Sequence, residues 1–159
     1  MTSAVVPDRI ALRAATDEDH AFLVGLYATT RDDLALLPPD QRDALMSMQY
    51  RAQDLQCRQA NPDARYDVVE VAGRPIGRLY VDERTEDLHI IDISLLPERR
   101  GAGIGTELIR AVQDEAAASG RGVSLHVALG NPAAALYLRL GFRPVEDLGV
   151  YRRLEWSAT

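Results

Sequence analysis

The residues with the clearest chemical potential form a glycine-rich segment between a predicted strand and a predicted helix. Two arginines, Arg99 and Arg100, precede three glycines at Gly101, Gly103 and Gly105. Glycine lets backbone N–H groups approach an anion closely, and a helix N-terminus adds partial positive charge. The pattern therefore predicts a cradle for a pyrophosphate, in which the arginines bind phosphate oxygens. A tight turn without a ligand is the alternative.

Two common nucleotide-binding loops do not account for this segment. A Walker loop requires a lysine after its last glycine, and all 18 basic residues of this chain are arginines. A Rossmann fingerprint requires the spacing G-x-G-x-x-G in the first strand–helix unit of a parallel sheet. Here the glycines alternate with single residues, and the segment follows three strands that we predict to be antiparallel. The absence of lysine also excludes catalysis through a lysine Schiff base.

Hydrophobic periodicity places the segment within one mixed α/β domain, residues 1–159. Thr16 and Asp40 are predicted caps of the first two helices, and a third helix follows the glycines. The fourth predicted helix, 132–140, has proline near its start and glycine just beyond its end. The predicted strands are 10–14, 66–71, 76–81, 88–96, 123–128, 142–146 and 151–156.

Composition and charge exclude several classes of protein. A formal net charge of −6 argues against general nucleic-acid binding, and no apolar run approaches the roughly 18 residues that span a membrane. Cys57 is the single cysteine, which excludes an intrachain disulfide and a multi-cysteine zinc site. Residues 1–13 lack the basic and apolar regions of a secretory signal. We therefore expect a cytoplasmic protein with no metal, nucleic-acid or membrane partner.

Two motifs in this chain resemble those of the GNAT superfamily of N-acetyltransferases. The glycine-rich segment, RRGAGIG at 99–105, looks like the superfamily signature [QR]-x-x-G-x-[GA]. The downstream segment, NPAAALYLRLGF at 131–142, is similar to N-x-x-A-x-x-L-Y-x-x-L-G-F. One position departs from the pattern, because Asn131 precedes Tyr137 by six residues where many members have seven. The order of predicted elements from Ile10 to Trp156 agrees with the superfamily.

The resemblance implies both a fold and a cofactor. The expected fold is a mixed, mostly antiparallel sheet of six to seven strands with four helices, in which the central parallel strands 88–96 and 123–128 splay apart. Acetyl-CoA would bind in the resulting cleft, with pantetheine along the strand edge and pyrophosphate on the glycine segment. The implied cofactor-binding residues are Leu95, Leu96, Arg99, Arg100, Gly101, Ala102, Gly103, Ile104, Gly105, Thr106, Asn131, Ala134 and Arg139.

The same resemblance implies that Tyr137 is the general acid. Its hydroxyl would donate a proton to the CoA sulfur as the thiolate leaves. A helix tyrosine packed in the core is the alternative interpretation.

The general base has two candidates in the sequence. Asp92 stands alone in an apolar strand, where an unpaired carboxylate would be costly; the alternative is a buried aspartate bonded to backbone or to an arginine. His126 lies on the other splayed strand and has an ordinary pKa suited to proton transfer. His89 shares the strand of Asp92 but by alternation faces the other way. Many superfamily members use only ordered waters.

The acceptor pocket is expected near the first two helices. Tyr27, Arg31 and Tyr50 are candidate lining residues, although such aromatic residues also belong to cores. Cys57 is not expected to carry an acyl group, since no histidine lies near it in the sequence. The predicted activity is acetyl transfer to a primary amine of a small molecule or peptide, with a homodimer as a possible assembly. The alternatives are a non-catalytic acyl-CoA sensor and a structural interaction module.

Overall fold

The computed structural model of the protein describes residues 9–31, 34 and 36–158. Residues 1–8 lie outside the described residues, so the structure does not bear on most of the segment 1–13, in which no secretory signal is expected. The described residues form the strands β1 Ile10–Ala14, β2 Arg65–Val71, β3 Arg74–Glu83, β4 Asp87–Leu95, β5 Gly122–Ala128, β6 Arg143–Asp147 and β7 Tyr151–Trp156. These seven strands make one sheet in the order β1-β2-β3-β4-β5-β7-β6.

Four α-helices occur in the same described ranges and flank this sheet. They are α1 His20–Ala28, α2 Pro39–Ala60, α3 Ile104–Ala118 and α4 Ala133–Arg139. The first begins after a 3-10 turn at Asp17–Asp19, and the second begins with Pro39 one residue before the predicted cap, Asp40. The predicted fold class, a mixed and mostly antiparallel sheet with four helices, is confirmed.

The main hydrophobic core lies between one face of the sheet and helices α3 and α4. Helix α3 presents a stripe of apolar residues at helical spacing, and this stripe is buried against the apolar side chains of β3, β4 and β5. Burial of a side chain such as Leu108 contributes roughly 1.5–3 kcal/mol. Gln113 donates from Nε2 to the Leu140 carbonyl at 2.9 Å, which joins α3 to the end of α4.

The central strands β4 and β5 are parallel, and their pairing stops halfway along. It runs from Asp87 opposite Gly122 to Ile90 opposite Leu125. Beyond that point β4 pairs only with β3, and β5 pairs only with β7. The predicted splay of the two parallel strands is therefore present, and it opens toward the carboxyl ends of both strands.

A β-bulge sits in β4 at the start of the splay. Tyr80 of β3 is opposite Asp92, whereas its neighbour Val81 is opposite Ile90, so Ile91 is the extra residue. Because Asp82 is opposite His89, the side chains of His89 and Asp92 point to the same face of the sheet. The prediction that these two residues face opposite ways is wrong, since simple alternation does not hold across a bulge.

A buried polar chain joins β4 to β5 where they still pair. Ser124 Oγ donates to Asp87 Oδ2 at 2.6 Å and lies 2.8 Å from His89 Nδ1. The serine proton is used by Asp87, so Nδ1 of His89 is the donor in the second bond. Burial lowers the pKa of His89 to about 4, with further lowering from Arg84. His89 is therefore neutral in the folded protein at neutral pH.

This histidine makes the free energy of unfolding depend on pH. The pKa of His89 is lower in the folded than in the unfolded chain, so protonation favours unfolding as the pH falls from about 6.5 to about 4. We expect this to remove about 3 kcal/mol of stability, measured by urea unfolding across that range. The variant His89→Asn keeps a donor toward Ser124 and loses this pH dependence. His20→Asn is the control. If His20→Asn loses as much of the pH dependence of stability as His89→Asn does, the pH dependence does not come from His89.

Candidate functional site

The splay of β4 and β5 opens a cleft of about 720 Å³, which reaches from the glycine segment to helix α4. The β4 edge that faces the cleft beyond Ile90 has no strand partner in the described part of the chain, so its backbone groups are available to an extended ligand. The cleft is lined by Thr30, Asp92, Ile93, Ser94, Leu95, Arg100, Gly101, Gly103, Gly105, Thr106, Ile109, Asn131, Pro132, Ala133, Leu136 and Tyr137.

The glycine segment forms one end of the cleft. Gly101 and Gly103 adopt φ angles of +78° and +86°, a conformation that glycine tolerates better than other residues. The first hydrogen bond of α3 runs from the Glu107 N–H to the Gly103 carbonyl at 3.0 Å. The N–H groups of Ile104, Gly105 and Thr106 therefore precede the helical ladder and are available to an anion. This geometry fits the diphosphate of a nucleotide cofactor.

A close approach of β3 and β4 sets the edge of this cradle. Gly77 of β3 lies opposite Leu95, and a Cβ atom at Gly77 would overlap the Ser94 carbonyl oxygen. The end of β4 is further fixed by Arg100, whose Nε donates to the Leu95 carbonyl at 3.1 Å. Sequence reasoning missed Gly77, because an isolated glycine in a strand does not reveal what approaches it.

The predicted cofactor-binding residues do not all line the cleft. Leu96 donates its N–H to the Ile76 carbonyl at 2.9 Å, which commits that group to β3. Ala134 lines a separate small cavity between α4 and β7, and Arg139 is exposed in the last turn of α4. Arg99, Ala102 and Ile104 belong to the glycine segment but are not in the lining. The lining residues among those predicted are Leu95, Arg100, Gly101, Gly103, Gly105, Thr106 and Asn131.

Tyr137, which belongs to helix α4, lines the same cleft. Its side chain is buried, with its ring 5.9 Å from that of Phe142 in an edge-to-face contact. Burial, reinforced by the negative charge of Asp92, raises the pKa of Tyr137 to about 12. The phenol is therefore protonated at neutral pH and can donate a hydrogen bond or a proton. Tyr137 belongs both to the core and to the cleft wall, so the two interpretations of its sequence position are compatible.

Asp92 lies on the bulged part of β4 and is held by two donors. Arg78 Nε donates to Asp92 Oδ2 at 2.6 Å, and Ser94 Oγ donates to the same oxygen at 2.8 Å. The Arg78 guanidinium is buried and lies 4.7 Å from the centre of the Tyr80 ring. Asp92 is thus both paired with an arginine and accessible from the cleft. Arg78 was not predicted, although an arginine within the apolar strand β3 was a visible signal.

His126 is not brought together with Tyr137 and Asp92. It is exposed on β5, outside the lining of the cleft, and its ring lies 5.1 Å from that of His89. Partial desolvation of the exposed ring and the charges of Arg153 and Arg84 lower the pKa of His126. Because its ring contacts that of His89, His126 is a neighbour of the hydrogen-bonded chain of Asp87, Ser124 and His89 between β4 and β5.

The predicted acceptor residues lie on helices α1 and α2 and contact each other. The rings of Tyr27 and Tyr50 are 6.1 Å apart, and Arg31 Nη1 donates to the Tyr27 hydroxyl at 2.8 Å. None of the three is in the lining of the main cleft, whereas Thr30 from the same region is. No signal in the sequence distinguishes Thr30 from other polar residues.

The residues that the structure describes contain neither a metal-binding cluster nor a membrane-spanning helix. No three histidine, cysteine, aspartate or glutamate side chains in these ranges lie close enough to hold a metal ion. In the same ranges, no helix combines the length and the apolar character needed to cross a bilayer.

Comparison with known proteins identifies relatives over most of the chain. Residues 26–142 match the model of the acetyltransferase (GNAT) family. A Bacillus subtilis (strain 168) protein named as a ribosomal-protein-alanine N-acetyltransferase is 36% identical over 86 residues, which are 53% of this chain and 57% of that protein. The chain thus spans little more than half the length of this curated relative.

Solved structures share the fold over nearly the whole chain. The PaiA N-acetyltransferase of Thermoplasma acidophilum, crystallised with coenzyme A, has a TM-score of 0.70 at 17% identity and covers 94% of this chain and 99% of its own. An acetyltransferase from Thermus thermophilus has a TM-score of 0.69 at 22% identity and covers 94% and 98%. At these identities the likeness shows the fold alone.

The geometry of the glycine segment predicts how the loss of one arginine changes the affinity for a ligand that carries phosphate. Replacing Arg100, which lines the cleft, removes a guanidinium that can pair with a phosphate. We expect Arg100→Ala to weaken coenzyme A binding about tenfold, measured by calorimetry. Added salt weakens binding to the unaltered protein more than to the variant. Arg110→Ala, on the exposed face of α3, is the matched control. Equal affinities of the two variants would argue against phosphate binding at this segment.

Proposed function

Because the chain belongs to the GNAT acetyltransferase family, we propose that it transfers an acetyl group from acetyl-CoA to a primary amine of a small molecule or peptide. One observation carries this proposal: a single cleft is lined by the glycine segment, by the phenol of Tyr137 and by the carboxylate of Asp92. The alternative is a non-catalytic protein that binds acyl-CoA. The presence of both Tyr137 and Asp92 at the cleft favours the enzyme.

The cleft residues fit coenzyme A in two places. The N–H groups at the start of α3 and the side chain of Arg100 would hold the pyrophosphate. The unpaired edge of β4 near Ile93 and Leu95 would pair with the amides of the pantetheine arm. Acetyl-CoA supplies a thioester, whose C–S bond breaks as the acceptor nitrogen forms a bond to the carbonyl carbon.

Tyr137 donates its phenolic proton to the departing sulfur and regains a proton from solvent. The pKa of about 12 keeps the phenol protonated until the C–S bond breaks, and it also makes the phenol a weaker acid than a thiol in water. The transfer therefore requires that the cleft holds the departing thiolate away from water, which raises the basicity of the sulfur. The ring contact with Phe142 fixes the direction of the hydroxyl.

Asp92 takes a proton from the acceptor ammonium, which frees the nitrogen lone pair for attack. The two hydrogen bonds to Oδ2 support this role, because they hold the carboxylate at the cleft in one orientation. The nitrogen loses its second proton to solvent after the C–N bond has formed, so one proton is released overall. His126 is the less favoured base, since it lies beside His89 and outside the cleft lining.

The curated relative suggests which acceptors to try first. The Bacillus protein is named for acetylation of an alanine in a ribosomal protein. Peptides with an N-terminal alanine therefore belong in the panel beside small primary amines. The direct test is incubation with acetyl-CoA and this panel, with free thiol and an acetylated product as the readouts. Binding of coenzyme A without any product supports the non-catalytic alternative, and absence of binding contradicts both.

The role of Tyr137 predicts a specific kinetic defect. Tyr137→Phe keeps the ring contact with Phe142 and removes only the proton donor. We expect kcat to fall about 100-fold while the KM for acetyl-CoA changes little, measured with the best amine of the panel. Tyr151→Phe, at an exposed tyrosine of β7, is the control. Unchanged turnover in Tyr137→Phe would rule out the phenol as the acid.

A further inference from the structure

Arg78 is a buried cation that neither donates nor accepts a proton in the proposed acetyl transfer. Its side chain is 9% exposed, it lies in β3 beneath helix α2, and its Nε donates to Asp92. Burial costs a guanidinium much of its hydration, so an arginine at such a position needs a structural or functional reason. The ion pair with Asp92 and the contact with the Tyr80 ring together satisfy the charge.

The hydrogen bonds to Asp92 are unequal between its two oxygens. Arg78 and Ser94 both donate to Oδ2, and within the described residues Oδ1 accepts none. The nearby carboxylate of Asp54 differs, since Arg58 Nε lies 3.1 Å from each of its oxygens. Oδ1 of Asp92 is therefore free to receive a donor from a ligand, while Oδ2 is held by the protein.

Asp92 is shared by two cavities. It lines the main cleft, and it also lines a second cavity of about 120 Å³ between helix α2 and strands β3 and β4. The second cavity is lined by Gln53, Asp54, Cys57, Arg78, Tyr80, Ile91 and Asp92. A ligand group in this second cavity can thus reach the same carboxylate that faces the cofactor cleft.

We propose that Arg78 is a positioning residue, which with Ser94 holds Asp92 through Oδ2 so that Oδ1 receives an acceptor amine whose carbon stem occupies the cavity beneath α2. This inference rests on the proposed acetyl transfer and goes beyond it by naming the entry side and the size of the acceptor. Cys57 is a wall of this cavity and determines how large the stem can be.

The volume of the cavity restricts the acceptor class. The cavity, at about 120 Å³, is far smaller than the main cleft of about 720 Å³, so it favours a small group over a large one. Primary amines with a small group on the adjacent carbon fit best, such as a short alkylamine or a peptide with an N-terminal alanine. We expect a peptide with an N-terminal phenylalanine to be a poorer acceptor. We expect at least about tenfold higher kcat/KM for the alanine peptide.

The positioning role is tested by the division between kcat and KM. Arg78→Met leaves Asp92 without its partner, and we expect kcat to fall about 100-fold with the KM for acetyl-CoA unchanged. Arg78→Lys retains the charge and restores part of kcat. Arg84→Met removes an arginine that pairs with Asp82 just after the same strand, away from both cavities, and serves as the control. Thermal unfolding of each variant separates a loss of fold from a loss of turnover. Equal kcat in Arg78→Met and Arg84→Met would overturn the role.

The entry side is tested by binding, without turnover. The probe is coenzyme A whose sulfur is joined through an acetyl bridge to the amine of alanine amide. We expect calorimetry to show that the unaltered protein binds this probe at least about tenfold more tightly than coenzyme A, because the alanine occupies the second cavity. Cys57→Leu narrows the cavity and abolishes the gain, whereas Cys57→Ala retains it; coenzyme A binds all three proteins equally. No gain in the unaltered protein, or a gain that Cys57→Leu retains, would overturn the inference. If coenzyme A itself does not bind, the proposed function fails first.

Discussion

The end of pairing between β4 and β5 is the constraint on which the rest of the site depends. Up to Ile90 and Leu125 the two strands satisfy each other's backbone groups, and beyond that point each keeps only its outer neighbour. The free edge of β4 and the start of α3 consequently open into one space. In the hydrocarbon-like interior of a sheet such unpaired backbone groups would be costly. They are tolerable here because a ligand or water can bond to them.

The paired half of the two strands keeps the open half in place. The chain of hydrogen bonds through Asp87, Ser124 and His89 joins β4 to β5 just before they separate. The bulge at Ile91 then turns the following side chains, so that Asp92 and Ser94 lie together with Arg78. Helix α4 completes the opposite wall with Tyr137. The proposed acid, Tyr137, and the proposed base, Asp92, therefore come from elements that the splay brings to one cleft.

Features that depend on local sequence were predictable. The glycine segment, the strand before it and the helix after it follow from short-range propensities, and the splay followed from the resemblance of two motifs. The bulge at Ile91 was not predictable, because the register of β4 depends on β3, which is distant in the sequence. For this reason the prediction that His89 and Asp92 face opposite sides of the sheet was wrong. The pairing of Asp92 with Arg78 and the cavity beneath α2 depend on the same long-range register, so residue spacing alone does not reveal them.

We propose that one cleft binds coenzyme A along β4 and presents its sulfur to Tyr137. A crystal structure of the protein with coenzyme A tests this most directly. We expect the pyrophosphate at the N–H groups of Ile104, Gly105 and Thr106, and the sulfur within hydrogen-bond reach of the Tyr137 hydroxyl. A coenzyme bound elsewhere, or a sulfur directed away from Tyr137, would contradict it.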